Sequence, residues 1–281
     1  MTAHSRVEQT LSTLEVIHAC DPSPAEVVVH VDGRNRELIN AIECRFPDVR
    51  LLVSDRLIGP GGGRNKLVEA ARNEFVASFD DDSYPLDSDY FAKSLQLFEH
   101  FPKAAIVCAA LFHKGETIAA AEQSGEWNAD FSGGAAVYRR KSFLETGGYV
   151  PLPIAYGMEE ADLALRLHAS GGKILQTKWL RVFHDTDLKR HSDPEITAGS
   201  IANLALLTYL RYPPSLWAVG ALQCARRIIW LMKNRRWHGI GAGVLMIPRH
   251  LKAHRMYRQR LSNDNVKSYL SLRRASLPVT F

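Results

Sequence analysis

Phe75-Val76-Ala77-Ser78-Phe79-Asp80-Asp81-Asp82-Ser83-Tyr84-Pro85 is the stretch whose reading decides the fold. A short apolar run of strand length drives straight into three successive carboxylates. Pro85 then withholds the backbone donor that a continuing strand needs. Adjacent carboxylates repel one another, so a cation or solvent must compensate them. In open α/β sheets ligands bind at the carboxyl ends of strands, and there a divalent metal is the natural compensator. Carboxylate oxygens suit Mg²⁺ or Mn²⁺, and Mg²⁺ takes few protein carboxylates plus substrate phosphates. A polar turn closing a strand is the plainer reading, and these residues alone leave both open.

Outward from this stretch the chain alternates between strand and helix. Residues 7–19 have helical spacing, and Asp21-Pro22-Ser23-Pro24 ends that helix. Residues 26–33 read as a buried parallel strand with Asp32 at its carboxyl end. A short helix over 36–45 and a strand over 49–53 follow. Ile58-Gly59-Pro60-Gly61-Gly62-Gly63-Arg64-Asn65-Lys66 is then expected to be a glycine-rich loop opening a helix over 67–72. Such a loop either cradles a phosphate on its backbone N–H groups or is a flexible connection. Its spacing is neither GxGxxG nor the P-loop pattern, but the Arg64 guanidinium suits a diphosphate. Downstream we expect a helix over 89–100, a strand over 104–111 and a short strand entered through Gly133 and Gly134. A helix over 158–168, with acids in its first turn, and a strand region from Lys173 into Phe183-His184-Asp185 complete the pattern. The alternation predicts an α/β fold with a mainly parallel sheet flanked by helices.

The chain has 281 residues, 46% hydrophobic and 23% charged, which is ordinary for a globular protein. Cys20, Cys44, Cys108 and Cys224 form no CxxC pair and read as reduced structural thiols in a reducing compartment. The first residues carry no apolar signal-peptide core. Charge is distributed unevenly. Residues 196–281 hold 14 Lys/Arg and one acid, Asp264, whereas residues 1–195 hold 21 bases and 29 acids. An acidic body with a basic tail points to a polyanionic surface as partner. A nucleic-acid-binding protein would leave the acidic body without purpose, so no nucleic-acid partner is expected.

Taken together, the motifs resemble an inverting family-2 glycosyltransferase with a GT-A fold, over roughly residues 2–190. Val31-Asp32-Gly33 resembles the nucleotide-contacting strand end, Arg64-Asn65 the family's Arg-Asn, and Asp80-Asp81-Asp82 its DxD motif. Gly133-Gly134 and Gly147-Gly148-Tyr149 resemble the acceptor-side segment, and Glu159-Glu160-Ala161-Asp162-Leu163 the Glu-Asp-x-Asp-Leu motif. His184 falls where a third metal ligand is found. The resemblance implies a nucleotide-diphosphate sugar donor, of UDP or dTDP type, contacted by Asp32, Arg64, Asp80, Asp81 and Gly134. It implies Mg²⁺ or Mn²⁺ held by Asp82 and His184, with Glu160 as the base and Glu159 as its alternative. Gly133, Tyr149 and Asp162 would lie on the acceptor side, the acceptor being a glycan or a lipid-linked glycan in cell-surface polysaccharide synthesis. Two departures stand out. The family's apolar strand before a segment like Thr2-Ala3-His4-Ser5-Arg6 is expected to be absent here, and Glu160 replaces the family's usual Asp. The competing functions are a nucleotidyltransferase, whose glycine-rich loop at the first strand is lacking here, and a catalytically inactive scaffold on the same fold.

The division expected is a catalytic domain over 1–195 and a basic amphipathic helical segment over 196–281. In that segment Trp217, Ala221, Cys224, Ile228 and Leu231 fall on one helical face, surrounded by Arg226, Arg227, Lys233, Arg235 and Arg236. Helices lying on an anionic membrane fit this composition; so does a helical subdomain packed on the acidic body. The first reading places the protein in the cytoplasm, peripheral at the inner face of the plasma membrane.

Overall fold

A computed structural model describes residues 1–154, 156–186 and 193–281. The chain begins with a parallel three-stranded sheet. β1 (Thr2–Ala3), β2 (Val28–Asp32) and β3 (Arg50–Ser54) lie in the order β1-β2-β3, with Thr2 opposite His30 and Asp32 opposite Ser54. Helices α1 (Val7–His18) and α2 (Arg36–Arg45) connect them, and α3 (Gly59–Ala70) follows β3. Helix α1 buries Leu11, Leu14 and Ile17, and α2 buries Leu38 and Ile42, the spacings that put side chains on one helical face. The Asn35 side chain caps α2 by accepting from Leu38 N at 3.1 Å.

Next come β4 (Phe75–Phe79), β5 (Ser83–Pro85), α4 (Tyr90–His100), β6 (Ala104–His113), β7 (Gly125–Asn128) and β8 (Ala135–Arg139). Helices α5 (Arg140–Glu145) and α6 (Glu159–Ala169) precede the long strand β9 (Lys173–His184). Helices α7 (Pro194–Arg211), α8 (Trp217–Lys233), α9 (Ile240–Ala253) and α10 (Asn263–Leu272) lead to β10 (Leu277–Val279). Among the described residues the second sheet runs β10-β7-β9-β6-β8-β4, with β5 on β9. The fold is the mixed α/β architecture expected. Parallel pairing, however, is confined to β1-β2-β3 and β6–β9, and the remaining pairs are antiparallel. Apolar runs such as 104–111 are buried on both faces whichever way their neighbours run, so composition did not separate the two cases.

The second sheet divides two cores. Strand alternation sends Ala136 and Tyr138 of β8 to one face and Ala135 and Val137 to the other. Helices α1, α2 and α4 cover one face, and α6, α7 and α10 the other. Leu206, Leu207 and Leu210 of α7 and Tyr269 of α10 belong to the same core as Leu163 and Leu167 of α6. The core therefore runs across residue 195, and β10 adds a strand from the basic segment to the edge of β7.

Two local differences from expectation have physical causes. The glycine run is not a loop but the first turns of α3. The Asp32 carboxylate accepts from Ile58 N at 2.9 Å and Gly59 N at 3.0 Å, which ties down the N–H groups at the mouth of that helix. Side chains have no room on its inner face: a Cβ on Gly61 would lie 2.8 Å from Glu159, and one on Gly63 2.7 Å from His30. Second, Thr2–Ala3 forms a two-residue strand where none was expected, and Thr2 also bridges to Asp80. A cavity of about 510 Å³, walled by Val27, Val28, Phe75 and Ala77, continues the line of β1 between β2 and β4.

Candidate active site

The carboxyl ends of β1, β2, β4 and β9 converge on a cleft of about 480 Å³ whose walls include Arg6, Asp32, Asp80, Asp82, Tyr156 and His184. The acidic triplet is the turn between β4 and β5. Asp80 N–H donates to Ser83 Oγ at 2.7 Å, and that hydroxyl donates to Gly134 O at 2.8 Å, which closes the turn against β8. The antiparallel register of β5 on β9 sets Ser83 opposite His184. The imidazole Nε2 consequently sits 3.2 Å from Asp82 Oδ1, and Asp185 N–H donates to Asp82 O at 2.8 Å.

The three acids are handled differently. Asp80 is partly open and accepts from Thr2 Oγ1 at 3.0 Å and from Arg64 beneath it. Asp81 and Asp82 are buried, and the Arg6 guanidinium bridges both. Burial pushes the Asp81 carboxyl up even though it pairs with Arg6. Burial also raises Asp82, but the close contact with His184 and the charges of His184 and Arg6 outweigh it and hold that carboxyl low. For His184 burial works against the charged ring, and the Asp82 carboxylate overrides it to raise the imidazole.

The donors present fit a divalent cation. Buried Asp82 Oδ1 has no hydrogen-bond partner of suitable geometry, and the His184 nitrogen lies beside it. No group of three or more His, Cys, Asp or Glu side chains forms a metal cage among the described residues. Two protein donors with the rest supplied by a diphosphate is the arrangement Mg²⁺ or Mn²⁺ takes at phosphate sites.

Arg64 is only 4% exposed, so it does not present its guanidinium to the cleft. It reaches Asp80 with one nitrogen and Glu159 Oε1 with another at 3.1 Å, while its Nε lies 3.3 Å from Ser78 Oγ. It is a buried strut between β4 and α6. Glu159 is likewise sealed, and burial together with the Glu160 charge lifts its carboxyl to about 8 despite Arg64. Glu160, the next residue, is partly exposed; burial raises it as well. Burial raises the Tyr156 hydroxyl, and the charges of Asp80, Glu160 and Asp82 add to the shift. Glu160 itself is not among the residues that wall the cleft.

The other expected site residues serve as supports. A Cβ on Gly134 would lie 2.4 Å from Asp80 Oδ2, and one on Gly133 2.9 Å from Arg64 Cζ, so both glycines admit the Arg64–Asp80 pair. Tyr149 is buried: its hydroxyl is 2.9 Å from that of Tyr138, and its backbone exchanges two hydrogen bonds with the Asn65 side chain. Asp162 is fully enclosed and pairs with Arg166 of α6 and Arg211 of α7, away from the cleft. Asp32 reaches the cleft but spends its carboxylate on Ile58 and Gly59. Arg6 and Tyr156 are the residues that sequence reading did not assign. Arg6 lies 75 positions before Asp81, and no spacing rule links them.

A profile described as "Glycosyltransferase like family 2" matches residues 1–177. A search of curated proteins gave no match. Among solved structures, GalNAc-T7 with UDP, GalNAc and Mn²⁺ is similar at a TM-score of 0.59 and 13% identity; the match covers 76% of this chain but 48% of that one, about half its length. A mannosyltransferase of Pyrobaculum calidifontis with GDP-Man and Mn²⁺ is similar at 0.57 and 14% identity, covering 97% of this chain and 85% of that one. S. aureus TarS residues 1–349 with UDP-GlcNAc is similar at 0.56 and 12% identity, covering 98% and 90%. At these identities the structures speak to the fold, and the fold they share is that of GT-A glycosyltransferases. With its acidic turn, its strand-end histidine and a profile match over more than half its length, the chain belongs to the family-2 glycosyltransferases.

Proposed function

We propose that the protein transfers a sugar, with inversion, from a nucleotide-diphosphate sugar of UDP or dTDP type to a glycan or lipid-linked glycan. The observation that carries this reading is the meeting of Asp82 and His184 beside Asp80 in the cleft that Asp32 also lines. Structures similar in fold were solved with UDP, UDP-GlcNAc or GDP-Man, two of them with Mn²⁺.

Asp82 and His184 would hold the divalent ion, which when bound neutralises charge on the departing diphosphate. Asp80, fixed by Thr2 and Arg64, orients the donor. Glu160 takes the proton of the acceptor hydroxyl as that oxygen attacks the anomeric carbon. Its partly exposed position and raised carboxyl suit a general base. Glu159 keeps Arg64 in place and is too enclosed to meet an acceptor. A single displacement needs no protein nucleophile. The product would enter cell-surface polysaccharide, assembled at the inner face of the plasma membrane.

The test is release of nucleotide diphosphate from a panel of UDP-, dTDP- and GDP-sugars with Mn²⁺, Mg²⁺ or EDTA. Metal-dependent release from one donor, abolished in Asp82→Ala with an unchanged melting curve, is the expected result. Full activity in that variant removes the metal assignment. No release and no calorimetric binding of any donor leaves an inactive scaffold.

A further inference from the structure

Helices α8 and α9 both pack on α7 through small or polar contacts. A Cβ on Gly220 of α8 would lie 2.2 Å from Thr208, and one on Gly243 of α9 2.8 Å from Ala198 O. Arg227 donates to Ser200 Oγ at 3.3 Å, and His250 Nε2 is 2.8 Å from Asn203 Oδ1. Of the face expected from sequence to meet a membrane, Leu231 is fully buried and Cys224 and Ile228 are half-buried, while Trp217 and Ala221 remain exposed. Solvent also meets Ala218, Leu222, Ala225, Ile229 and Met232, spaced by four and three so that they form a second, continuous apolar stripe. Leu222 and Ile229 are each 51% exposed. On α9 Leu245 is 82% exposed, and Trp237 in the turn between the helices is 55% exposed.

The charge beside these apolar residues has one sign. No Asp or Glu occurs between Glu195 and Asp264. Arg226, Lys233, Arg235, Arg249 and Lys252 are exposed around the stripes, and Trp230 lies between the Arg227 and Arg236 guanidiniums at 4.7 and 5.6 Å. No helix among the described residues is long and apolar enough to cross a membrane. Exposed apolar stripes bordered by bases, on helices that do not span, match the chemistry of an anionic bilayer surface: side chains at the acyl boundary and cations among the headgroups.

We propose that α8, α9 and the turn between them dock the protein on an anionic lipid bilayer through Leu222, Ile229, Trp237 and Leu245. The surface is linked to the cleft by packed contacts. Gly239, at the start of α9, rests on Pro194 at the start of α7. Asn203 of α7 in turn donates to Ile154 O at 2.6 Å and Tyr156 O at 3.0 Å, at the cleft rim. Docking would bring that rim to a lipid-linked acceptor. In this respect the inference deepens the proposed function, on which only the acceptor half of it rests.

The experiment is co-sedimentation of the full chain with vesicles of phosphatidylcholine containing roughly one-third phosphatidylglycerol, and with phosphatidylcholine alone. Binding to the anionic vesicles only, reversed by roughly 1 M NaCl, is expected. Leu222→Glu with Ile229→Glu should lower the bound fraction about tenfold with the melting curve unchanged. If that pair fails to fold, Lys233→Gln with Arg235→Gln provides the milder test and should weaken binding and its salt dependence. Failure to bind either vesicle overturns the proposal, as does binding indifferent to these variants. A dimer in light scattering that the glutamate pair dissociates also overturns it, by showing that a second copy covers the stripe. Donor hydrolysis in vesicle-free solution is read separately, so lipid binding without hydrolysis would remove the transferase reading and leave the surface standing.

Discussion

Arg6→Gln is the perturbation that best separates the roles within the acidic turn. Asp81 and Asp82 are 5% and 2% exposed, and the Arg6 guanidinium is the cation that touches both. Breaking a buried ion pair by removing one partner costs about 3–5 kcal/mol. The Arg6 side chain is 35% exposed, so solvent takes up part of that loss, and about 2 kcal/mol is the scale expected. The melting temperature in EDTA should fall by about 5 °C. Mn²⁺ should reverse the sign of the comparison. The guanidinium sits on Asp82 Oδ2 and the cation would sit on Oδ1, so two positive charges share one carboxylate and Arg6 weakens metal loading in the free protein. Without Arg6, Mn²⁺ should bind about tenfold more tightly in the absence of donor, a gain of about 1.4 kcal/mol. Differential scanning calorimetry with and without Mn²⁺, and titration followed by electron paramagnetic resonance of the free ion, measure both quantities. An unchanged melting temperature in EDTA together with equal or weaker Mn²⁺ binding would refute the argument.

Other expectations follow from the same geometry. Glu160→Gln should lower kcat by about 10²–10⁴ while donor affinity holds; Glu159→Gln, which keeps a partner for Arg64 and replaces a carboxyl raised to about 8, should change kcat little. The reverse pattern in single-turnover assays would exchange the two roles. Asp162→Asn leaves the Arg166 and Arg211 guanidiniums enclosed without a counter-charge and should cost about 3–5 kcal/mol in denaturant unfolding. A stable variant with a raised acceptor KM would restore Asp162 to the acceptor side. Burial, then His254, lowers His250 to about 4, below the 6.5 of the unfolded chain. The unfolded chain therefore binds the proton first, and stability should decline as pH drops from about 6.5 toward 4. His250→Gln should flatten that part of a melting-temperature profile; an unaltered slope would assign it to other groups.

What the sequence alone determined is what depends on neighbours along the chain. Apolar period and punctuation marked β2, β4, β6, α2, α4 and α6 to within a few residues. The run of three acids after an apolar strand located the turn at the heart of the cleft. His184 drew attention because it ends a strand, and strand ends converge at ligand sites in α/β folds.

The tertiary structure decided how the charges are shared and which faces are left over. Arg64, read as a group for the diphosphate, became a buried strut because Gly61, Gly133 and Gly134 let Glu159, β8 and Asp80 close around it. Arg6 became the partner of Asp81 and Asp82 because β1 pairs with β2 and starts α1 above the acidic turn. The glycine run became helical because a distant carboxylate, Asp32, accepts from Ile58 and Gly59. On α8 two apolar faces compete in the sequence; Gly220 packs on Thr208 of α7 and Leu231 is buried, while the stripe through Leu222 and Ile229 is left in solvent. Helical and strand periods are set by local geometry and can be read one residue after another. Ion pairing and burial depend on which segments approach in space, and that is fixed only once the sheets and helices have packed.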